Sequence, residues 1–448
     1  MTDNRQPTTG NQQPIKDNRQ PKSLAERDQQ VIWHPYTQMQ TAGLPLPIVK
    51  GEGALLFDET GQSYIDAVSS WWVNLHGHSH PHIARRVAEQ IALLDHVIFA
   101  GFTHEPAVQL AENLLQVLPA NQKRIFYSDN GSTAVEVALK MAIQFWANLG
   151  QPKTRIVAFR DSYHGDTFGA MSVSSRSAFT QPFNAYLFDV LFIDVPVAGQ
   201  EEACLQQLRD HAAQGDVAAF IFEPLVLGTA GMVMYGPEIL DQLLAVCRQH
   251  DILTIADEVM TGFGRTGRNF ASYYLQQPAD MFCLSKGLTG GTMALGVTSC
   301  SSRLYEGFLS DDRSRTLFHG HSFTANPVAC AAALASLELL LAPDTQANIR
   351  RIEDRHAAFR NKIGQHPACG HVRQTGTILA LEFKTAGTSY FSNIRNFLYQ
   401  LALEHRVLLR PLGNIIYVLP PYCITDEQLA SVYAVIEKMA DGLIDTRP

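Results

Sequence analysis

The chain lacks most of what marks secreted, membrane or nucleic-acid-binding proteins. No apolar run is long enough to span a bilayer: the longest, Val328–Ala335, is soon broken by Ser336 and Glu338. Before Leu24 the only apolar side chains are Met1 and Ile15, so no secretory signal is visible. Basic residues are in deficit, 35 against 43 acidic ones, and a net charge of −8 gives no electrostatic footprint for nucleic acid. The seven cysteines are scattered, odd in number and without a Cys-x-x-Cys pair. That usage excludes a disulfide framework and a zinc-ribbon spacing, and it predicts reduced thiols in a cytoplasmic protein. No Gly-x-Gly-x-x-Gly follows an early strand, which argues against a nicotinamide-binding fold.

What remains is a globular composition, 46% apolar and 17% charged, on 448 residues. That length exceeds one ordinary core and predicts at least two lobes. Residues 1–28 are rich in Gln, Asn, Arg, Asp and Pro and repeat DNRQP, and are expected to be a disordered tail. Beyond them, short apolar runs alternate with helical patterns. RIFYS (124–128), TRIVAF (154–159), AAFIFEPLV (218–226), ILTIADEV (252–259) and MFCLS (281–285) read as buried strands, and residues 134–150 carry helical spacing. Such alternation predicts an α/β fold with a mainly parallel central sheet covered on both faces. Asn326-Pro327 should cap an Ala/Leu-rich helix ending near Pro343, bridging to a smaller α+β lobe with strands near 377–383 and 414–420. The expected division is a segment at 29–75 joining the small domain, a large domain at 76–335, and a C-terminal small domain at 336–448.

Three stretches carry chemistry. In SDNGSTAVE (128–136) a strand ends, Gly131 permits a tight turn, and Ser132 and Thr133 open a helix with Thr133-x-x-Glu136 as a capping box. A helix start of this kind is an anion site, with phosphate its usual guest. In ILTIADEVMTGFGRTG (252–267) Asp257 closes an apolar strand, where ligands gather in open α/β sheets. It can face a protonated ring nitrogen, or cap a helix, or pair with Arg265 or Arg268; Glu258 is expected to support it from behind. In MFCLSKGLTGG (281–291) Lys286 follows a strand, where its amine can act as a nucleophile. A phosphate cradle, a carboxylate for a ring nitrogen and an amine for an aldehyde are the three grips that pyridoxal 5'-phosphate (PLP) requires.

ADEVMTGFGRTG, followed 29 residues after Asp257 by Lys286 in SKGLTGG, resembles the class III aminotransferases of fold type I. The resemblance runs from Trp33 onward. It implies a homodimer with active sites at the subunit interface, and Lys286 and Tyr36 as catalytic residues. It also implies that Gly131 and Ser132 hold the phosphate, that Tyr163 in DSYHGD stacks on the ring, and that Asp257 meets the pyridine nitrogen. His321 and Ser322 of HGHSF (319–323) would complete the cofactor site, Ser322 reaching the neighbouring subunit's phosphate.

SSWWVNLHGHSHPH (69–82) narrows the resemblance. Its Trp71-Trp72, with WHPYT (33–37), FAGFTHEPA (99–107) and RPLGNIIYVLPPY (410–422), resembles a branch of that family active in biotin synthesis. That branch moves an amino group from S-adenosylmethionine to 8-amino-7-oxononanoate. By this resemblance Tyr36, Trp71, Trp72, Tyr163, Gly320 and Arg410 contact substrate together with Lys286. Aromatic walls suit an adenine, a sulfonium and an alkyl chain, and an arginine suits a carboxylate. Packing in the core is the plain alternative for Trp72. His76, His78, His80 and His82 lack the spacing of a metal site, and HSHPH is expected to be a turn opening a helix. The chain departs from the family at Leu227, where Gln is usual, and at Asn130, His321 and Ser322. Two other readings stay open: an ω-amino acid or diamine aminotransferase paired with pyruvate, 2-oxoglutarate or lysine, and a non-catalytic protein on the same scaffold.

Overall fold

The computed structural model describes residues 22–151, 153–384 and 393–445. Of the expected tail, residues 1–21 lie outside the described residues. A helix, Leu24–Val31, begins before the boundary drawn at residue 28. Ser23 and Glu26 start it with a reciprocal capping box, the Ser23 N–H donating to the Glu26 carboxylate at 2.7 Å and the Glu26 N–H to the Ser23 hydroxyl at 3.2 Å.

The chain divides into two compact units. One ends at Lys50 and takes in Phe57–Gln62; the other holds Gly51–Leu56 and everything from Ser63 onward. In the first unit, besides the helix, Asp58 closes a turn by accepting from the backbone N–H groups of Thr60 and Gln62, both at 2.9 Å.

The second unit is built on a seven-stranded sheet. Its strands are β1 (Gln122–Ser128), β2 (Arg155–Phe159), β3 (Val190–Ile193), β4 (Val217–Phe222), β5 (Leu253–Asp257), β6 (Met281–Leu284) and β7 (Gly296–Ser301). They lie in the order β1-β7-β6-β5-β4-β2-β3. β2 to β6 pair in parallel, while β7 runs antiparallel to both β6 and β1. Alternate residues serve opposite faces, as a period of two demands. Val157, Phe159, Phe220 and Phe222 join one core; Ile156, Ala158, Ala219 and Ile221 join another. The helix Gly131–Asn148 covers the second face through Ala134, Val137, Met141 and Phe145. Helices Glu201–Ala212 and Pro237–Gln249 cover the first through Leu208, Leu240 and Leu243.

β3 and β7 were not legible in the sequence. β7 reads GVTSCS, yet it is buried throughout. Its hydroxyls are satisfied internally, Thr298 donating to the Ala134 carbonyl and Ser299 to Gln122 Oε1, both at 2.7 Å.

Asn326 caps the Ala/Leu-rich helix Pro327–Leu341 by accepting the Ala329 N–H at 3.0 Å. A second helix, Pro343–Ile363, follows directly. Beyond it β8 (Cys369–Thr375), β9 (Ile378–Phe383) and β10 (Ile415–Val418) form an antiparallel sheet. Among the described residues no single helix is long and apolar enough to cross a membrane.

Two histidines are held neutral inside these cores. His356 meets the Tyr433 hydroxyl at 2.6 Å and the Thr377 carbonyl at 3.2 Å, and burial pulls it down to about 3. His76 meets the Ser336 hydroxyl at 3.1 Å, and burial likewise pulls it down to about 3. The unfolded chain protonates both near 6.5, so below that pH it binds protons the folded state refuses. Stability should therefore be flat in these groups above pH ~6.5 and fall by up to about 1.4 kcal/mol per pH unit per histidine toward pH ~3. Urea unfolding across that range should show a shallower slope for His356→Gln; an unchanged slope would remove His356 from the account.

Candidate active site

The carboxyl ends of the central strands converge on one cavity of about 700 Å³. β4 delivers Glu223, β5 ends on Asp257, and β6 leads through Ser285 into Lys286, all three lining the cavity. Lys286 takes a positive φ of 47°. Its Nζ stands 4.7 Å from the centroid of the Trp72 ring. Burial draws the amine below the usual lysine range, against the attraction of Asp257 and then Glu223.

Asp257 is buried and meets His164 Nδ1 at 2.7 Å through one oxygen, while the other accepts the Val259 N–H at 3.0 Å. The alternatives of a partner in Arg265 or Arg268 are overturned, since those side chains donate to backbone carbonyls: Arg265 to Pro420 and Asn74, Arg268 to Tyr273. Glu258 turns away from the cavity and accepts from the Thr261 hydroxyl and the N–H groups of Ala271 and Ser272. Glu223 accepts the Tyr163 N–H at 2.9 Å and the Gly228 N–H at 3.0 Å, and burial pushes its carboxyl up to about 7.

The helix at Gly131 is capped in a different register from the one expected. Asn130 is the N-cap: its side chain accepts the Thr133 N–H at 3.0 Å, and the Thr133 hydroxyl accepts the Asn130 N–H at 3.0 Å. Glu136 instead accepts from the Thr167 hydroxyl and the N–H groups of Gly169 and Ala170. Gly131 is required by approach rather than by a turn, because a Cβ there would lie 2.8 Å from Val259 Cγ1. Among the described residues the N–H groups of Gly131 and Ser132 have no protein acceptor, so the helix opens on the cavity with free donors. The Ser132 hydroxyl pairs with that of Thr167 at 2.8 Å. Free helix N–H groups, a buried carboxylate and an amine of lowered basicity form a donor set that fits PLP.

Both tryptophans are placed beside reactive groups. Trp72 lines the cavity and also packs inward, donating through Nε1 to the Tyr417 hydroxyl at 3.0 Å. This residue is thus both part of the cavity wall and part of the core. Trp71 is 40% exposed, and the Arg410 guanidinium lies 4.5 Å from its ring centroid. Tyr163 lines the cavity. Gly320 and Ser322 are exposed and do not line it. His321 stacks edge-on with His319 and approaches Asp129 at 3.6 Å. Tyr36 is exposed and belongs to the other unit. Leu227 is fully buried next to Gly228.

His164 and Glu223 escaped the sequence reading. Glu223 satisfies the rule that selected Asp257, a carboxylate closing an apolar strand. His164 had only its adjacency to Tyr163 as a signal. Replacing His164 with Ala would leave the buried Asp257 carboxylate one N–H donor, and should cost about 3 kcal/mol in urea unfolding. A loss below about 1 kcal/mol would show that the pair is not structural.

The family model for aminotransferase class III matches residues 36–440. The chain is 49% identical over 420 residues to the adenosylmethionine-8-amino-7-oxononanoate aminotransferase of Synechococcus elongatus, covering 92% of this chain and 99% of that protein. The crystal structure of the enzyme of the same name from Methanocaldococcus jannaschii superposes with a TM-score of 0.89 at 33% identity, covering 94% of this chain and 98% of that one. An amine transaminase from an uncultivated Pseudomonas species, solved in the PLP-bound form, gives 0.86 at 29% identity, covering 92% and 98%. With the lysine, the strand-end carboxylate and the open helix start in one cavity, the chain belongs to the class III aminotransferases, and its cofactor is PLP.

Proposed function

We propose that the protein transfers the amino group of S-adenosylmethionine to 8-amino-7-oxononanoate, giving 7,8-diaminononanoate for biotin synthesis. The observation that carries this reading is the split tryptophan pair, one ring facing the Lys286 amine and the other under Arg410. It is supported by a relative of that name at 49% identity across nearly the whole chain. Arg410 is assigned the substrate carboxylate, which its planar fork can take with two parallel bonds. Trp71 and Trp72 offer apolar area to an alkyl chain and a π-face to a sulfonium or adenine.

When bound, PLP supplies an electron sink for the carbon that bears the amino group. The chain's residues then divide the work. The helix start at Gly131 and Ser132 holds the phosphate, and Tyr163 covers the ring. Asp257, aligned by His164, keeps a proton on the ring nitrogen. Lys286 tethers the cofactor and, once free, holds and moves the proton at Nζ, for which a basicity below that of an exposed lysine is suited.

Gly320, His321 and Ser322 are assigned to a second copy's site, so the working unit is proposed to be a homodimer. Ile98, Phe102, Phe318 and Phe323 are each at least 60% exposed, and a ring contact between His96 and Phe323 places their segments side by side. The domain boundaries at 75/76 and 335/336 are retained as a proposal, since β1 to β7 lie between them and β8 to β10 beyond. A cytoplasmic location is proposed from six buried free cysteines and one exposed.

The first measurement is the absorbance of the purified holoenzyme before and after S-adenosylmethionine alone. Transamination runs by halves, so a true donor should bleach the yellow cofactor without any acceptor. A protein that stays yellow with S-adenosylmethionine and bleaches with lysine or an ω-amine would instead be a diamine or ω-amino acid aminotransferase. Lys286→Ala should lower turnover by at least about 10³-fold and abolish cofactor fixation by borohydride; full activity in that variant would refute the assignment.

A further inference from the structure

The turn that carries the two tryptophans is strained. Ser69, Ser70 and Trp72 all take positive φ, at 51°, 59° and 66°. Side chains other than glycine persist in that region only where the surroundings over-determine them, and such places cluster at functional sites. Here the determination comes from Asp66, whose side chain has no exposure. Its carboxylate accepts the Val68 N–H at 3.2 Å, the Ser70 N–H at 2.7 Å and the Ser70 hydroxyl at 3.3 Å, and meets His78 Nε2 at 2.9 Å. His78 is braced in turn by the Asn74 amide at 3.1 Å.

The same residue also fixes the segment that bears Arg410. The strand Ser63–Asp66 pairs in parallel with Val407–Leu408, and Asp66 stands opposite Leu408, two residues before Arg410. The Ala67 N–H donates to the Leu408 carbonyl at 3.2 Å, and the Ser69 hydroxyl donates to the Leu419 carbonyl at 2.8 Å. From this anchorage the rings are sent apart, Trp72 to Lys286 and Trp71 to Arg410. Gly228 leaves room for the first, since a Cβ there would lie 2.9 Å from the Trp72 ring.

We infer that Asp66 is a positioning residue for substrate recognition: it touches nothing in the cavity, yet its carboxylate sets the turn, next to its backbone's pairing with Leu408, that holds Trp72 against the lysine and Trp71 against Arg410. The inference rests on the reading that Arg410 receives a substrate carboxylate. Preorganised walls lower the ordering cost of binding, so their loss falls on ground-state affinity more than on the chemical step.

The test uses Asp66→Asn holoenzyme, in which one acceptor oxygen becomes a donor that faces either the Val68 N–H or the Ser70 N–H and His78 together. KM for both substrates should rise about tenfold or more with kcat within about threefold, and tryptophan emission should move as Trp72 leaves its packed place. Unchanged KM values, or a fall in kcat alone, would overturn the inference. Should Asp66→Asn not fold, Ser69→Ala decides in its place: it removes only the Leu419 tie, and is expected to raise KM severalfold with kcat retained. Parent enzyme that turns over neither substrate would sink the functional reading, not this one. Asp66 would then be judged by emission alone, and an unchanged spectrum would overturn it.

Discussion

Lys286, Asp257 and Glu223 are three ionisable groups drawn together at the edge of a sheet, where water cannot solvate them freely. A charge left unpaired in such a place costs several kcal/mol, so each group dictates what must stand beside it. Asp257 takes the His164 ring and the Val259 N–H. Glu223 takes two backbone N–H groups, which favour its charged form against a burial that otherwise keeps the proton on. The Lys286 amine has the face of Trp72 and the field of both carboxylates. The sheet order makes this possible. β4, β5 and β6 are direct neighbours, with Ala256 opposite Phe222 and Asp257 opposite Cys283, so Glu223 and Asp257 leave adjacent strands side by side and Lys286 follows three residues beyond Cys283.

Close approach, rather than a left-handed backbone, explains two glycines at the start of the helix Gly131–Asn148 and beside it. A Cβ on Gly131 would strike Val259, and one on Gly296 would come within 2.3 Å of the Asn130 carbonyl oxygen. Both omissions press the start of the helix Gly131–Asn148 against the strand ends, so its unpaired N–H groups open where the lysine and the carboxylate already stand. The helix's electrostatic preference for an anion is strongest within its first turn. An ångström of extra distance would spend that preference on solvent.

The parts legible in the sequence were those encoded over short distances. Buried strands with continuous apolar side chains announced themselves, as did the caps at Asn326 and the residues Asp257 and Lys286 at strand ends. β7 did not, because its burial is made tolerable by hydroxyl bonds to Ala134 and Gln122, which lie far away in the chain. Nor did the role of His164, which is fixed by a partner 93 positions away. The capping box was found in the right place and the wrong register: Thr133 is its third helical residue rather than its cap, and its N–H is taken by the Asn130 side chain three residues earlier. For β7 and His164 the deciding contact was tertiary and left no local pattern; for the cap it was local, three residues apart, and Asn130 carried it.

The histidines of SSWWVNLHGHSHPH show why spacing alone misleads. Their alternation looks like one motif, yet each has a separate task. His76 donates to Ser336, whose hydroxyl donates to the Gly287 carbonyl next to Lys286. His78 binds Asp66, His80 accepts the His82 N–H at the start of the helix Pro81–Leu93, and His82 meets Glu338. Three of the four therefore fasten this segment to the lysine loop, to the Asp66 turn or to the helix Pro327–Leu341. The imidazoles serve as hinge pins, and the rigidity they confer reaches the cavity through Trp72. A long, polar and aromatic stretch thus contributes Trp72 and Val73 to the cavity wall and Trp71 to Arg410, while three of its four histidines fasten it in place.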